Sequence, residues 1–193
     1  MAEPVVWLDD GTPASPRFED RYRSSHEQGR AQAEQVFLAG CDLPAAWRGQ
    51  RQWRILENGF GLGLNFLVSW QAWRHDAQRP DLLHYLATEA FPVSPQDLLR
   101  ACQAHPDLIP LASLLADQFA GLLPGVHRLN FEDGRVLLTL LIGPAERMLR
   151  TLDGRFDSIY LDGFAPDLQR RAMACSKAGC HICGLRSGAK PSR

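Results

Sequence analysis

The chain has 193 residues, of which 45% are apolar and 22% are charged, and its formal net charge is −1. This composition is typical of one soluble globular domain and excludes an intrinsically disordered chain. The sequence contains no uncharged apolar run of about 18 residues, and its amino terminus lacks the pattern of a signal peptide. We therefore expect a cytoplasmic protein with no membrane partner, in which any contact with nucleic acid comes from a local basic patch.

Apolar periodicity predicts an alternation of helices and strands after a turn-rich stretch over residues 1–25. The predicted helices cover residues 26–38, 64–74, 95–104, 108–119 and 145–152. The predicted strands cover residues 52–57, 82–88, 126–131, 136–142 and 156–161. Asp133-Gly134 lies between two of these strands and predicts a hairpin. The alternation predicts an α/β domain with a largely parallel sheet, into which this hairpin is inserted.

The composition divides the chain into three segments. Residues 1–50 form an amino-terminal extension, and residues 51–166 carry the predicted sheet and helices. Residues 167–193 contain no acidic residue after Asp167, no apolar periodicity and no predicted strand. We expect this last segment to be a disordered tail.

The strongest motif is a glycine-rich loop between a predicted strand and a predicted helix, from Glu57 to Asn65. Gly59, Gly61 and Gly63 stand at alternate positions, so the backbone can turn sharply and approach a ligand without an intervening Cβ. The next helix presents unpaired N–H groups to the loop, which suits a carboxylate or another anion. Seven residues are therefore candidates for cofactor binding: Glu57, Gly59, Phe60, Gly61, Gly63, Asn65 and Glu89.

Two classes of cofactor compete for this loop. A dinucleotide fingerprint requires Gly-x-Gly-x-x-Gly, and the third glycine position is occupied by Leu64 or Phe66, depending on the glycine counted first. The acid before Gly-x-Gly-x-Gly instead resembles motif I of class I S-adenosylmethionine-dependent methyltransferases. Glu89 ends the next predicted strand and is the expected carboxylate for ribose hydroxyls in either class. A loop that binds nothing is the third alternative.

A second motif, Asp162-Gly163-Phe164-Ala165-Pro166, follows the last predicted strand. A carboxylate at this end of a parallel sheet projects into the same crevice as the glycine loop. Asp162 is therefore a candidate for a role in this crevice, and a helix cap or a turn residue is the alternative. Phe164, which is able to stack on a base, and Pro166 are candidates for substrate contact.

Residues 11–166 resemble the methyltransferase domain of the bacterial bifunctional tRNA 5-methylaminomethyl-2-thiouridine biosynthesis proteins (MnmC). The resemblance rests on seven blocks in order. They are residues 11–13 with 18–22, 36–40, 59–67, 70–72, 89–92, 123–125 with 127–129, and 161–166. It implies an incomplete class I S-adenosylmethionine-dependent methyltransferase (Rossmann-like) fold.

The resemblance also implies an activity and its partners. The expected reaction is methylation of the aminomethyl group on the wobble uridine of tRNA, with S-adenosyl-L-methionine as the cofactor. Glu57 and the three loop glycines would cradle the cofactor, and Glu89 would hold its ribose. Asp162 would face the substrate amine as the catalytic residue. The FAD-dependent oxidoreductase domain of the family is absent from this sequence, so a separate FAD-dependent enzyme is an expected partner. The alternatives are a fragment of a dinucleotide-binding oxidoreductase and an inactive truncated remnant.

The sequence departs from the family pattern at two places. Pro144 stands where the family has an acid that reads the adenine amino group, and proline offers no side-chain acceptor. The sequence after Asp167 matches nothing in the family domain, which we interpret as a frameshift or a gene fragment. The loss of later strands predicts that the strand before Asp162 is an exposed apolar edge. Cys175, Cys180, His181 and Cys183 have ligand types suited to zinc, but their spacing is not that of paired Cys-x2-Cys knuckles, so we predict no metal site.

Overall fold

A computed structural model describes residues 2–22, 28–162 and 176–184, and in the last range His181 is the one residue whose side chain is described. The strands are β1 (Val6–Trp7), β2 (Pro13–Ser15), β3 (Asp20–Arg21), β4 (Gln52–Asn58), β5 (Leu82–Glu89), β6 (Gly125–Phe131), β7 (Val136–Ile142), β8 (Phe156–Leu161) and β9 (Ser176–Gly184). The α-helices are α1 (Gln28–Gln32), α2 (Leu64–His75), α3 (Pro95–Ala101), α4 (Ile109–Phe119) and α5 (Ala145–Arg150). A π-helical segment, Ala33–Leu38, continues α1.

The main sheet has six strands in the order β6-β7-β5-β4-β8-β9. All neighbouring pairs are parallel except β6 and β7, which form the predicted antiparallel hairpin at one edge. From β4 the chain first builds β5 and β7 on one side and then crosses over to β8 on the other side. The carboxyl ends of β4 and β8 therefore flank a topological switch point, where open α/β sheets bind their ligands.

Alternate residues of the central strands bury their side chains on opposite faces of the sheet. Ile55 and Tyr85 belong to the larger apolar core, which also contains buried side chains of α2 and α4. Leu56 and Leu86 belong to a smaller core on the other face, where Leu149 of α5 covers them. This two-sided burial explains why the strands read as nearly continuous apolar runs.

The strand and helix positions predicted from periodicity are confirmed for residues 28–161, with shifts of a few residues at the ends. The largest difference is α3, which ends at Ala101 instead of residue 104. None of the helices among the described residues is long and apolar enough to cross a bilayer.

The predicted absence of a strand after Asp167 is wrong. β9 pairs in parallel with β8, with Ile159 opposite Ile182, so β8 is not the exposed edge that the sequence predicts. A parallel pair of strands is held by hydrogen bonds between backbone N–H and C=O groups. It therefore does not require an alternation of apolar and polar residues along the strand. The sheet accordingly has one strand more than the sequence predicts.

Candidate active site

Three carboxylates lie at the same end of the central strands. Glu57 is the penultimate residue of β4, Glu89 ends β5, and Asp162 directly follows β8. Because β4 pairs in parallel with both neighbours, the carboxyl ends of all three strands meet at one edge of the sheet. The structure thus brings together the carboxylates that the sequence predicts for the cofactor and the substrate.

The glycine loop leaves β4 in a chain of left-handed conformations. Gly59, Gly61 and Gly63 have φ angles of 93°, 54° and 73°, which side chains with a Cβ rarely adopt. The N–H groups of Gly59 and Phe60 both donate to the carbonyl oxygen of Thr88, at 3.1 and 2.9 Å. The loop is therefore anchored to the end of β5 before it turns into α2.

The third glycine is required by packing as well as by φ. A Cβ on Gly63 would lie 3.0 Å from Cζ of Phe60 and 3.3 Å from Cδ2 of Leu115. The Phe60 ring itself is buried and stacks on Phe119 with a centroid distance of 5.7 Å. The side chain of Phe60 thus supports the loop from the core, so a cofactor contact at this position must come from its backbone.

Asn65, in the first turn of α2, joins two of the carboxylates. Its Nδ2 atom donates one hydrogen bond to Oε1 of Glu57 at 2.7 Å and one to Oδ2 of Asp162 at 2.8 Å. Both hydrogens of the amide are thereby used, and two anionic groups are held side by side across the switch point. The sequence predicts Asn65 as a cofactor-binding residue, and its observed contacts are with these two acids.

Burial perturbs the pKa values of both acids. Burial, reinforced by the charge of Asp162, raises the pKa of Glu57 well above its usual range. Burial also raises the pKa of Asp162 to about 6, against the opposing hydrogen bond from Asn65. The Oε2 atom of Glu57 is buried and has no hydrogen-bond partner among the described residues.

Tyr85, on β5, is a site residue that the sequence analysis missed. Its buried hydroxyl lies close enough to Glu57 to affect the titration of that carboxylate, although the two groups are not in hydrogen-bonding geometry. Burial, followed by the negative charge of Glu57, raises the pKa of Tyr85 well above its usual range. Tyr85 reads as an ordinary core residue of an apolar strand, so no sequence signal distinguishes it.

Glu89 is oriented by backbone N–H groups. Its Oε2 atom accepts a hydrogen bond from Gly61 at 2.8 Å, and its Oε1 atom accepts one from Phe91 at 2.8 Å. Burial raises the pKa of Glu89, and these two N–H groups oppose the rise. A fixed carboxylate beside the glycine loop is able to accept hydrogen bonds from a pair of hydroxyls, because each oxygen has a second lone pair.

These groups fit a methyl donor that has an amino-acid end and a ribose. The positive-φ glycines keep Cβ atoms away from the crevice, the unpartnered Oε2 of Glu57 suits an ammonium group, and Glu89 suits hydroxyls. Pro144 precedes α5 and makes no side-chain hydrogen bond to it, so this position offers no side-chain acceptor for an adenine amino group. Phe164 and Pro166, the predicted substrate contacts, lie outside the described residues, as does Cys175.

Comparisons with known proteins agree with this geometry. A family model described as S-adenosyl-L-methionine-dependent methyltransferase matches residues 106–172. A solved structure, MNMC2 from Aquifex aeolicus, superposes with a TM-score of 0.66 at 18% sequence identity, covering 91% of this chain and 57% of that one. The fold is that of a class I S-adenosylmethionine-dependent methyltransferase.

In sequence, the chain is much more similar to curated relatives than to this solved structure. The chain is 63% identical over 169 residues to the tRNA 5-methylaminomethyl-2-thiouridine biosynthesis bifunctional protein MnmC of Polaromonas sp., covering 88% of this chain and 26% of that protein. It is 60% identical over 168 residues to the MnmC protein of Paracidovorax citrulli, covering 87% of this chain and 26% of that protein. The chain therefore spans about a quarter of the length of these relatives, and it is similar to their methyltransferase portion.

Proposed function

We propose that this chain carries the S-adenosylmethionine-dependent methyltransferase activity that modifies the aminomethyl group of the tRNA wobble uridine. The observation that carries the proposal is the hydrogen-bonded row Glu57–Asn65–Asp162 beside the glycine loop. In this proposal Glu57 is the buried acceptor for the donor's amino group, and the neighbouring Asp162 is the carboxylate for the substrate amine. The sequence similarity to MnmC proteins supports the choice of substrate.

The cofactor binds, in this proposal, along the glycine loop and between the carboxylates of Glu57 and Glu89. Glu57 accepts the ammonium group, the backbone around Gly59 and Gly61 contacts the amino-acid end, and Glu89 accepts the ribose hydroxyls. When bound, S-adenosylmethionine supplies an electrophilic methyl group on a sulfonium. Transfer is an in-line displacement, so the main task of the protein is to align the two reactants.

The substrate amine must be neutral to react. An alkylamine with a pKa near that of lysine, about 10.4, is mostly protonated at pH 7, and its deprotonation costs roughly 4–5 kcal/mol. Asp162 has a raised pKa of about 6 and is therefore a better proton acceptor than an ordinary aspartate. Since Asn65 bonds Oδ2, we assign Oδ1 of Asp162 to the amine, where it orients the nitrogen lone pair and accepts the proton.

The proposal includes partners outside this chain. The relatives are about four times as long as the matched segment, and they are described as bifunctional. We propose that an FAD-dependent oxidoreductase prepares the aminomethyl group before the methyl group is transferred to it. A tRNA substrate assigns the reaction to the cytoplasm.

Equilibrium binding and methyl transfer test the proposal in turn. The chain should bind S-adenosylhomocysteine in titration calorimetry and should bind neither NAD nor FAD. It should then transfer tritiated methyl groups from S-adenosylmethionine to tRNA that carries the 5-aminomethyl group, and not to tRNA that lacks it. Binding of a dinucleotide would support the oxidoreductase alternative, and cofactor binding without transfer to either tRNA would support an inactive remnant.

A further inference from the structure

The amino-terminal residues form a separate three-stranded antiparallel sheet, β1-β2-β3. Tyr22 directly follows β3, and its backbone N–H donates to the carbonyl oxygen of Pro13 at 3.0 Å. Its ring is half-buried and packs against the main core. From the sequence, residues 1–50 are an extension with no assigned function. In the structure, its small sheet orients the ring of Tyr22 toward the main core.

This small sheet is fixed to the segment that follows Glu89. The N–H group of Glu3 donates to the carbonyl oxygen of Pro92 at 2.9 Å, and Glu3 also forms a parallel bridge with Val93. Arg17 pairs with the buried Glu3 at 2.8 Å, and its guanidinium lies 4.2 Å from the ring centroid of Phe91. These contacts tie the position of β1-β2-β3 to the segment that directly follows Glu89.

Tyr22 lies against one partner of a hydrogen bond in the proposed cofactor site, Gly61, and is within electrostatic reach of the other, Glu89. A Cβ built on Gly61 would lie 3.5 Å from Cδ1 and 3.9 Å from Cε1 of the Tyr22 ring. Gly61 is the residue whose N–H donates to Glu89. Burial, followed by the negative charge of Glu89, raises the pKa of Tyr22 to about 12. Tyr22 therefore borders the crevice where the glycine loop approaches the expected ribose carboxylate.

We propose that the ring of Tyr22 forms the outer wall of the cofactor site and contacts the bound methyl donor between Gly61 and Glu89. The proposal rests on the proposed function, because it takes S-adenosylmethionine as the ligand of this crevice. A flat aromatic face offers a large contact area at little cost in side-chain entropy. The amino-terminal sheet is then part of the cofactor site and not an appendage.

Hydrogen exchange on the unsubstituted chain tests the placement without any substitution. Saturating S-adenosylhomocysteine should slow amide exchange in a peptide that contains residues 57–65 and also in one that contains residues 13–22. Protection of residues 57–65 without protection of residues 13–22 would overturn this inference and leave the proposed function intact. Absence of protection at both places, together with no binding, would overturn both.

Substitution of Tyr22 tests the role of the ring. Tyr22→Ala should weaken S-adenosylhomocysteine binding about tenfold, whereas Tyr22→Phe should remain within about twofold of the unsubstituted chain. Val6→Ala is the control, because Val6 belongs to β1 of the same small sheet and is 47% exposed. Equal affinities for Tyr22→Ala and the unsubstituted chain, or equal losses for Tyr22→Ala and Val6→Ala, would overturn the proposal.

Discussion

The Nδ2 atom of Asn65 lies 2.8 Å from Oδ2 of Asp162, although the two residues are 97 positions apart in the sequence. The same amide nitrogen lies 2.7 Å from Oε1 of Glu57. One neutral side chain at the start of α2 thus orients Glu57 and Asp162 together, the acids that we propose for the cofactor and for the substrate. A change at any of the three positions should affect the other two, because they share one buried network.

The first prediction concerns Asn65 itself. Asn65→Ala removes the donor from the buried carboxylate of Glu57 and the partly buried one of Asp162. It should lower the free energy of unfolding by about 1–3 kcal/mol in urea denaturation. Loss of this hydrogen bond should also raise the pKa of Asp162 further above about 6, since the bond opposes the effect of burial. The acid limb of the pH profile of methyl transfer should therefore move to higher pH.

Asn130→Ala is the matched control for this substitution, because Asn130 lies on β6 with an exposed side chain. It should leave both the urea midpoint and the pH profile close to those of the unsubstituted chain. A normal pH profile for Asn65→Ala would show that the amide does not affect the pKa of the proposed proton acceptor, Asp162.

The second prediction separates the activity of Asp162 from its effect on stability. Asp162→Asn should lower turnover roughly 10²- to 10⁴-fold, because the proton acceptor is lost. The same substitution should stabilise the fold at neutral pH by about 2 kcal/mol, because the buried charge is removed. Turnover comes from single-turnover methyl transfer, and stability comes from urea titrations at several pH values.

The sign of the pH dependence follows from the raised pKa of Asp162. The folded chain retains the proton up to about pH 6, whereas an unfolded aspartate loses it near its ordinary pKa of about 3.9. The contribution of this group to stability is therefore present below pH 4 and is lost as the pH rises through 6. The stability gained by Asp162→Asn should be small at pH 4 and should reach its full value above pH 6. A gain that is independent of pH would contradict the raised pKa.

The third prediction concerns the packing under the glycine loop. Gly63→Ala and Gly121→Ala both place a Cβ on a backbone with a φ of about +72°, so both should lose about 1 kcal/mol of stability. A Cβ at Gly121 meets nothing within 4 Å, whereas one at Gly63 meets Phe60 and Leu115. Gly63→Ala should therefore lose about 1 kcal/mol more and should also weaken S-adenosylhomocysteine binding. Equal losses in thermal denaturation would exclude a packing role.

The fourth prediction concerns the missing acceptor at residue 144. Pro144→Asp should supply both a side-chain cap for α5 and a carboxylate for the adenine amino group, whereas Pro144→Ser should supply the cap alone. Both variants should melt at a higher temperature, and the aspartate should also tighten S-adenosylhomocysteine binding about tenfold. If the two variants bind the cofactor equally, residue 144 does not contact the adenine.

Much of the fold is predictable because each buried strand is a local apolar run that ends in a turn signal. β4, β5 and β8 are recognisable in this way, and the residues at their carboxyl ends follow from the parallel topology. The sequence therefore predicts that three carboxylates lie close together, those of Glu57, Glu89 and Asp162. The parallel pairing that brings these three residues together is a general property of α/β sheets. Their proximity is therefore predicted without any knowledge of side-chain contacts.

The contacts that connect distant segments are not predictable in the same way. The position of Tyr22 against Gly61 depends on how the amino-terminal sheet docks, and no periodicity encodes this docking. The double hydrogen bond of Asn65 depends on the distance between β4 and β8, which only the folded backbone determines. The sequence does not predict β9, because β9 pairs with the backbone edge of β8 and amphipathic patterning carries no information about this pairing.

The crossover that places β8 beside β4 also constrains how the polypeptide acquires its shape during synthesis. The N–H of Arg54 bonds the carboxylate of Asp157, 103 residues further along the chain. Most of the domain must therefore leave the ribosome before β4 is able to pair with β8, its second neighbour in the sheet. Until then, β4 presents an unpaired apolar edge. We expect nascent chains arrested before β8 to require chaperone protection and to acquire affinity for the methyl donor only after Asp162 has left the exit tunnel.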